Sequence, residues 1–407
     1  MKVFFRRIHL YLSLAAGLVI LVCCLTGAIL VFEKDLQMAL NKDRYYVEQG
    51  TTRLGLDQLA AGIKASHPQF KINGVKVYDD PTRSVEFNVA PKPKKDKGEQ
   101  KAAAPAAAGG KEKGAAPKGR QPGFTLFVNP YTGQVLEQYS YRETFFYQVF
   151  ALHRWLLGGE GSIGKYIVGV STLIFLFILL TGIILWWPRT RTIMKQRLSI
   201  KWDANWKRIN HDFHLVFGFY SAIFLFIFAF TGLAWSFEWF NKGIYTVTGS
   251  SMKPPAPPKS DYVAEAKPIS FDKALAATRT VYPQASFYNL SAPKDSTEAY
   301  TVSALGLDPA HESATDAVYL DQYSGTVLGQ LPFAERSTGA KARSFFKPVH
   351  TGSIWGTPSK IIAFIVCLLG VTFPITGTIM WINRIRKKKK GQPATARAQT
   401  AQLEEVA

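Results

Sequence analysis

Hydrophobic residues concentrate in four long runs, at residues 10–32, 163–187, 215–237 and 359–382. Each run is long enough to cross a bilayer as a helix, which takes about 20 apolar residues. Two long stretches of mixed polarity separate the runs, at 33–162 and 238–358, while the segment 188–214 is short and polar. The pattern therefore predicts a membrane α-helical protein with four spans and two extramembrane domains.

Basic residues are concentrated in the short segments. Residues 1–9, 188–210 and 383–407 together hold 17 Lys and Arg against three acidic residues. By the positive-inside rule these segments face the cytoplasm, so both termini are predicted to be cytoplasmic and the two long loops lie on the other side. The net charge of +20 is thus explained by topology and by the Lys-rich run 91–122. We expect membrane lipid around the chain and no nucleic-acid partner.

The chain is an internal duplication, because four histidines precede Thr-Gly pairs at matched spacings. His9 precedes Thr26-Gly27 by 17 residues and His214 precedes Thr231-Gly232 by 17; His153 precedes Thr181-Gly182 by 28 and His350 precedes Thr376-Gly377 by 26. Repeats of this kind indicate one structural unit used twice. Here the unit is a span, an extramembrane domain and a second span.

The two long loops carry the same pattern of elements. Each begins with a helical stretch, continues with short strands near 75–78, 84–89 and 124–129 or near 287–290, 299–304 and 318–321, and then has a glycine turn. We predict two small α+β domains, each with one helix and a short antiparallel sheet. The run 91–122 interrupts the first domain as a flexible insertion.

The predicted organisation follows in chain order. It is a first span with a cytoplasmic N-terminus (1–32), a first extramembrane domain (33–162), a second span (163–187), a cytoplasmic loop (188–214), a third span (215–237), a second extramembrane domain (238–358), a fourth span (359–382) and a basic cytoplasmic tail (383–407).

Five of the seven histidines fall at predicted membrane edges, where polar groups are usually functional. Repeat symmetry pairs His9 with His214 and His153 with His350, and His211 is an alternative to His214 on the same helical face. One interpretation is that these are interfacial side chains. The other is that each pair supplies both axial ligands of a b-type haem between facing helices.

The Thr-Gly pairs lie at the levels that the second interpretation requires. Seventeen helical residues span about 26 Å, so each Thr-Gly pair is expected at the membrane face opposite to the histidine that starts its helix. Small residues there would let a flat ring approach. The longer interval after His153 predicts a helix break at the glycines near 158–161, with a matching break at Gly352 and Gly356. Four cations are candidate partners for haem propionates: Arg154, Lys347, Arg7 and Arg208.

The chain resembles the PepSY-associated transmembrane-helix proteins, which include di-haem ferric-siderophore reductases of Gram-negative inner membranes. The resemblance rests on Arg6-x-x-His9 with Thr26-Gly27, Leu152-His153-Arg154, the run Ile184 to Arg189, Asp212-Phe213-His214 with Gly218, His350-Thr351-Gly352 and the two PepSY-like loops. It implies a multi-pass bacterial inner-membrane oxidoreductase with periplasmic PepSY-like domains and two b-type haems. It also implies that His9 with His214, and His153 with His350, are the axial ligands, and that ferric siderophore is reduced to the ferrous form in the periplasm.

The electron donor is expected to be a separate molecule, either a quinol or a cytoplasmic reductant. The cytoplasmic segments are too short for a nucleotide-binding domain, and they contain no G-x-G-x-x-G motif. One alternative is a membrane-anchored PepSY protein that binds a peptidase or envelope partner without redox activity. A permease is a further alternative, but no charged residue lies well inside any span to line a solute path.

Overall fold

The computed structural model describes residues 1–92 and 123–390. From residue 93 onward the predicted insertion 91–122 lies outside the described residues, and so does the predicted tail from residue 391. The chain divides into two compact units. Within the described residues, the bundle unit comprises 1–33, 148–243 and 346–390, and the sheet unit comprises 34–92, 123–147 and 244–345.

The helices and strands are numbered in chain order. The α-helices are α1 (Lys2–Val31), α2 (Glu33–Leu40), α3 (Lys42–Tyr45), α4 (Leu56–Ser66), α5 (Phe145–Trp155), α6 (Ile163–Trp186), α7 (Arg191–Arg197), α8 (Trp206–Ser236), α9 (Glu238–Val247), α10 (Phe271–Val281), α11 (Thr338–His350) and α12 (Thr357–Lys390). The strands are β1 (Phe70–Tyr78), β2 (Val85–Pro91), β3 (Phe124–Val128), β4 (Val135–Tyr139), β5 (Phe287–Ser291), β6 (Tyr300–Leu305), β7 (Asp316–Leu320) and β8 (Val327–Leu331). Short 3₁₀ turns lie at Tyr141–Glu143, Phe333–Glu335 and Ser353–Trp355.

Four of the helices, α1, α6, α8 and α12, are long and apolar enough to cross a membrane. This confirms the predicted membrane-helical class. Helix α8 begins at Trp206, well before the apolar run that starts at residue 215. The extension forms because the side chain of Asn205 accepts a hydrogen bond from the backbone N–H of Arg208 at 3.1 Å and so caps the first turn.

The four spanning helices form a four-helix bundle. Helix α1 packs against α6 and α12, and α8 also packs against α6 and α12. The first and third spans are therefore diagonal partners, as are the second and fourth. In such a bundle, side chains on diagonal helices converge on the central axis.

The helical conformation is interrupted between α5 and α6 and again between α11 and α12, at the glycines where the sequence predicts an interruption. Leu156 and Leu157 follow α5 with φ of 49° and 68°, and Gly159 has φ of 87°. Gly352 and Gly356, with φ of 73° and 66°, occupy the matching interval before α12. Because left-handed backbone cannot continue an α-helix, His153 and His350 lie on short helices separate from the spans.

The sheet unit contains one eight-stranded antiparallel sheet, with strand order β4-β3-β2-β1-β5-β6-β7-β8. The sequence pattern treats the two loops as separate small domains, each with its own sheet. Instead β1 pairs with β5, from Gly74 opposite Ser291 to Tyr78 opposite Phe287, so the halves share a continuous sheet. Edge strands of two short sheets expose unpaired backbone groups, and pairing them satisfies both edges at once.

Helices α4 and α10 cover one face of this sheet with a common core. Val75, Phe87, Tyr288, Leu290 and Val302 are among the buried residues of that face. The core is contributed by both halves of the chain, which is consistent with the duplication seen in the sequence. Burial of side chains of this size contributes about 1.5–3 kcal/mol each.

Two carboxylates join the halves by capping each other's helices. Asp272 accepts hydrogen bonds from the backbone N–H groups of Leu56 and Asp57 at 2.8 and 2.9 Å. Asp57 in turn accepts from the N–H groups of Phe271 and Asp272 at 2.9 and 3.3 Å. Each carboxylate therefore satisfies the first turn of the helix in the other repeat, where anions are also favoured by the helix dipole.

The carboxyl of Asp57 ionises more readily than usual. Partial burial opposes its ionisation, but hydrogen bonds from Ser270 and from the backbone of Phe271 outweigh that effect and lower the pKa of Asp57. A carboxyl with a lowered pKa in the folded state stabilises the fold above its ordinary pKa range. That contribution is lost as the pH falls through the lowered value.

Replacing Asp57 by Ala removes the acceptor for the first two N–H groups of α10, while the cap that Ser270 gives to Lys273 remains. We expect the amides of Phe271 and Asp272 to exchange with deuterium roughly 5- to 30-fold faster at neutral pH, since losing an N-cap costs about 1–2 kcal/mol. The variant and the original chain should converge as the pH falls below the ordinary carboxyl range. Exposed Asp308 replaced by Ala is the control. Equal exchange rates at neutral pH would show that the reciprocal caps are not stabilising.

Candidate functional site

The structure brings the histidines together in the two pairs that repeat symmetry indicates. The rings of His9 in α1 and His214 in α8 lie 6.5 Å apart between centroids, at an interplanar angle of 84°. The rings of His153 in α5 and His350 in α11 lie 6.2 Å apart at 64°. We call the His9–His214 pair the first site and the His153–His350 pair the second site. Each site takes one histidine from each repeat.

Each histidine is held by the threonine of a Thr-Gly pair from the same repeat. The Nδ1 atoms lie within hydrogen-bond distance of the threonine hydroxyls: His9 with Thr181 at 3.0 Å, His214 with Thr376 at 2.8 Å, His153 with Thr26 at 2.9 Å and His350 with Thr231 at 3.1 Å. With Nδ1 engaged, Nε2 is the ring nitrogen that remains for a ligand. The same contact occurs at both equivalent positions of the two repeats, so it is a property of the repeated unit.

The glycine of each Thr-Gly pair lies against the histidine ring, most tightly at Gly232. A Cβ at Gly182 would lie 3.4 Å from Cε1 of His9, and one at Gly232 would lie 3.2 Å from Cε1 of His350. The corresponding distances are 3.5 Å at Gly27 from His153 and 3.4 Å at Gly377 from His214. The sequence places these small residues at the levels of the histidines that they contact, and that they admit a flat porphyrin ring stays a prediction. Spacing along one helix cannot show that the neighbouring helix presents a histidine there.

His211, the alternative to His214, lies outside the pair. Its ring is 46% exposed, and its Nδ1 lies 3.3 Å from a carboxylate oxygen of Asp212. It borders a cavity of about 190 Å³ together with Arg197 and Arg208. Asp212 is almost fully buried and accepts a hydrogen bond from Nε of Arg208 at 2.9 Å. Arg208 is therefore already paired with a carboxylate.

Aromatic side chains surround the second site, and Arg154 lies beside it. The Trp235 ring is 5.3 Å from the His350 ring, and Phe228 is 6.5 Å from it. The guanidinium of Arg154 donates to the backbone carbonyl of Trp235 at 3.5 Å. The cation that follows His153 in the sequence thus reaches the helix that packs on His350.

The remaining two histidines have local structural contacts. His67 stacks on Phe70 and lies 2.8 Å from the hydroxyl of Ser66. His311 is buried, with Nε2 3.0 Å from the Ser344 hydroxyl and Nδ1 accepting the backbone N–H of Ser313 at 3.1 Å. Both ring nitrogens of His311 are engaged in this way.

The donor set of each site fits two axial positions of one metal centre. Two metal–imidazole bonds of about 2 Å each, end to end between two rings, give a centroid separation of roughly 6 Å, close to the separations in both pairs. Among the described residues, no group of three or more His, Cys, Asp or Glu could hold a metal ion. The remaining ligands would have to belong to the bound group itself, as they do in a haem.

Alanine substitution at two glycines of α8 separates the effect of steric contact with a histidine ring from the effect of helix propensity. A Cβ at Gly218 would meet no atom within 4 Å, whereas one at Gly232 would press on His350. We expect G218A to keep or raise the thermal stability, because alanine is the better helix former. We expect G232A to be less stable than G218A by about 1–3 kcal/mol, the usual cost of overpacking. Thermal unfolding in detergent measures both, and equal stability would mean that the ring is not confined.

Comparison with known proteins identifies the family of the chain. The model of the family described as PepSY-associated TM region matches residues 6–384, which is nearly the whole chain. A comparison with curated proteins gives no match. The matched region includes most or all of each spanning helix, both histidine sites and the sheet unit. The chain therefore belongs to the PepSY-associated TM region family.

Proposed function

We propose that this protein is an inner-membrane oxidoreductase with two b-type haems, which moves electrons across the membrane to reduce ferric siderophore in the periplasm. The observation that carries the proposal is the pair of histidine sites. Each brings two imidazole rings to about the separation that one shared iron requires, with their planes steeply inclined to each other. The first site would hold the inner haem, and the second site the outer haem.

The sequence supports the orientation of the two sites. Lys2, Arg6 and Arg7 precede His9, and the polar segment before His214 is rich in Lys and Arg. The positive-inside rule places these segments, and hence the first site, towards the cytoplasm. The second site then lies towards the periplasm.

Bound haem would supply one-electron redox chemistry at both sites. His9 and His214 would hold the inner group, and His153 and His350 the outer one. The threonine hydroxyls hold the rings in position, and the glycines keep the space beside them open. Arg154, with its charge beside the second site, would hold a propionate of the outer group.

The substrate follows from the chemistry of iron chelates. Siderophores bind Fe(III) through hard oxygen donors, which suit the smaller and more highly charged ion. One electron delivered to the chelate gives Fe(II) and releases the metal without breaking the chelator. The electron enters from a separate donor, a quinol or a cytoplasmic reductant. The described segment between α6 and α8 contains one helix, the seven-residue α7, and is too short to form a nucleotide-binding domain.

Replacement of His214 by Ala is the direct test. We expect the haem content of the purified protein to fall from two to one per chain, since the inner site loses an axial ligand. H211A should keep both haems, because His211 lies outside the pair. Haem-to-protein ratios and oxidised and reduced absorption spectra measure both variants.

The same preparation tests the reaction. Dithionite-reduced protein should be reoxidised on addition of ferric siderophore. H211A should be reoxidised like the original chain, and H214A, with one haem, should not. If the purified protein contains no haem although the expressing cells synthesise haem, the redox proposal is refuted. The alternative of a PepSY protein that binds a peptidase or envelope partner would then be preferred.

A further inference from the structure

Each of the four threonine hydroxyls lies within hydrogen-bond distance of a backbone carbonyl of its own helix, and a carbonyl can only accept. Each donates to the backbone carbonyl four residues earlier in its own helix: Thr26 to Val22 at 2.6 Å, Thr181 to Phe177 at 2.9 Å, Thr231 to Ile227 at 2.7 Å and Thr376 to Thr372 at 2.9 Å. A hydroxyl has a single proton. With that proton committed to the helix, the oxygen can only accept from the histidine.

We propose that these threonines are positioning residues that select the ring tautomer of the candidate ligands. An accepting oxygen at Nδ1 requires the proton on Nδ1, which leaves the lone pair on Nε2. Nε2 is then the nitrogen that can bind a metal. The inference rests on the proposed function for its consequence at iron, but the tautomer itself is a property of the chain alone.

The two histidines of the first site differ in how strongly their tautomer is fixed. Nδ1 of His9 lies 3.1 Å from the backbone carbonyl of Ile178 in addition to Thr181. A carbonyl can only accept, so His9 keeps the Nδ1 proton without its threonine. Nδ1 of His214 has Thr376 as its hydrogen-bond partner within the described part of the chain. The tautomer of His214 thus depends on one hydroxyl.

The difference gives a matched pair of variants within one site. Valine resembles threonine in shape but lacks the hydroxyl. T376V removes the acceptor at His214, whereas T181V leaves the Ile178 carbonyl at His9. T376S restores an acceptor at the same position. All three substitutions lie in spanning helices of the bundle and change no histidine.

The primary measurement uses the full-length chain without haem, labelled with ¹⁵N at histidine, in detergent. The ring-nitrogen chemical shifts report which nitrogen carries the proton. We expect His214 to change from the Nδ1-protonated form to a mixture of tautomers in T376V, and to stay Nδ1-protonated in T376S. We expect His9 to stay Nδ1-protonated in T181V. An unchanged His214 tautomer in T376V would overturn the inference, and so would a change of His9 in T181V equal to that of His214 in T376V.

The second measurement uses haem-loaded protein and its redox midpoint potentials. A hydrogen bond from the distal nitrogen of a ligating imidazole raises the basicity of the ligand, and loss of such a bond typically weakens metal affinity about 10- to 100-fold. We expect T376V to bind the inner haem at least about 10-fold more weakly and to raise its midpoint potential, since a more basic ligand favours the ferric state. T181V should show the smaller change, and T376S should match the original chain.

The two proposals fail in distinguishable ways. Absence of haem from the original chain would refute the redox function, while the ¹⁵N shifts of the haem-free chain would still decide the tautomer. Two bound haems together with equal potentials in T376V and T181V would leave the redox function standing and overturn the role of Thr376. If T376V does not fold, the ring shifts of T376S and T181V still test it, because a tautomer change in T376S would contradict a hydroxyl acceptor.

Discussion

The hydrogen bond between a threonine hydroxyl and a histidine Nδ1 is the constraint on which the bundle depends. A polar ring among apolar helices is unfavourable unless its nitrogens are satisfied. Here the same threonine hydroxyl also donates a hydrogen bond to a backbone carbonyl of its own helix, so the hydroxyl is not left as an unsatisfied donor. The glycine that follows lets the ring pack close against the helix, most tightly at Gly232. Two adjacent residues thus allow an imidazole to lie inside the bundle with one nitrogen left over.

The histidine–threonine contact occurs four times in the duplicated chain, twice in each repeat. In each repeat the first span offers a histidine to the second span's threonine, and the second span's preceding helix offers one to the first span's threonine. Antiparallel neighbours make this exchange natural, because the start of one helix lies beside the end of the other. The two repeats pack so that equivalent spans are diagonal, which brings equivalent histidines together. The pairs therefore arise from packing two copies of one unit.

Much of this arrangement is written in the sequence. The spans follow from apolar length, and the pairing of His9 with His214 follows from matched spacings in a duplicated chain. The levels of Thr26 and Thr376 follow from helix rise. What the sequence does not show is which neighbour a small residue faces, because that depends on the rotation of one helix against another. The joined sheet escapes prediction for a similar reason: alternation marks β1 and β5 as strands but does not specify their partner across the repeat boundary.

The two repeats depend on each other in both units. In the sheet unit, β1 pairs with β5, and Asp57 and Asp272 each cap the other repeat's helix. In the bundle unit, each site takes one imidazole from each repeat. A single repeat would leave an open sheet edge, a helix without the carboxylate supplied by the other repeat, and two histidines without their partners. Since pairing within one chain happens at high effective concentration, covalent fusion of the repeats favours the assembled sites over separated halves. The duplication is thus the condition for the sites as well as their origin.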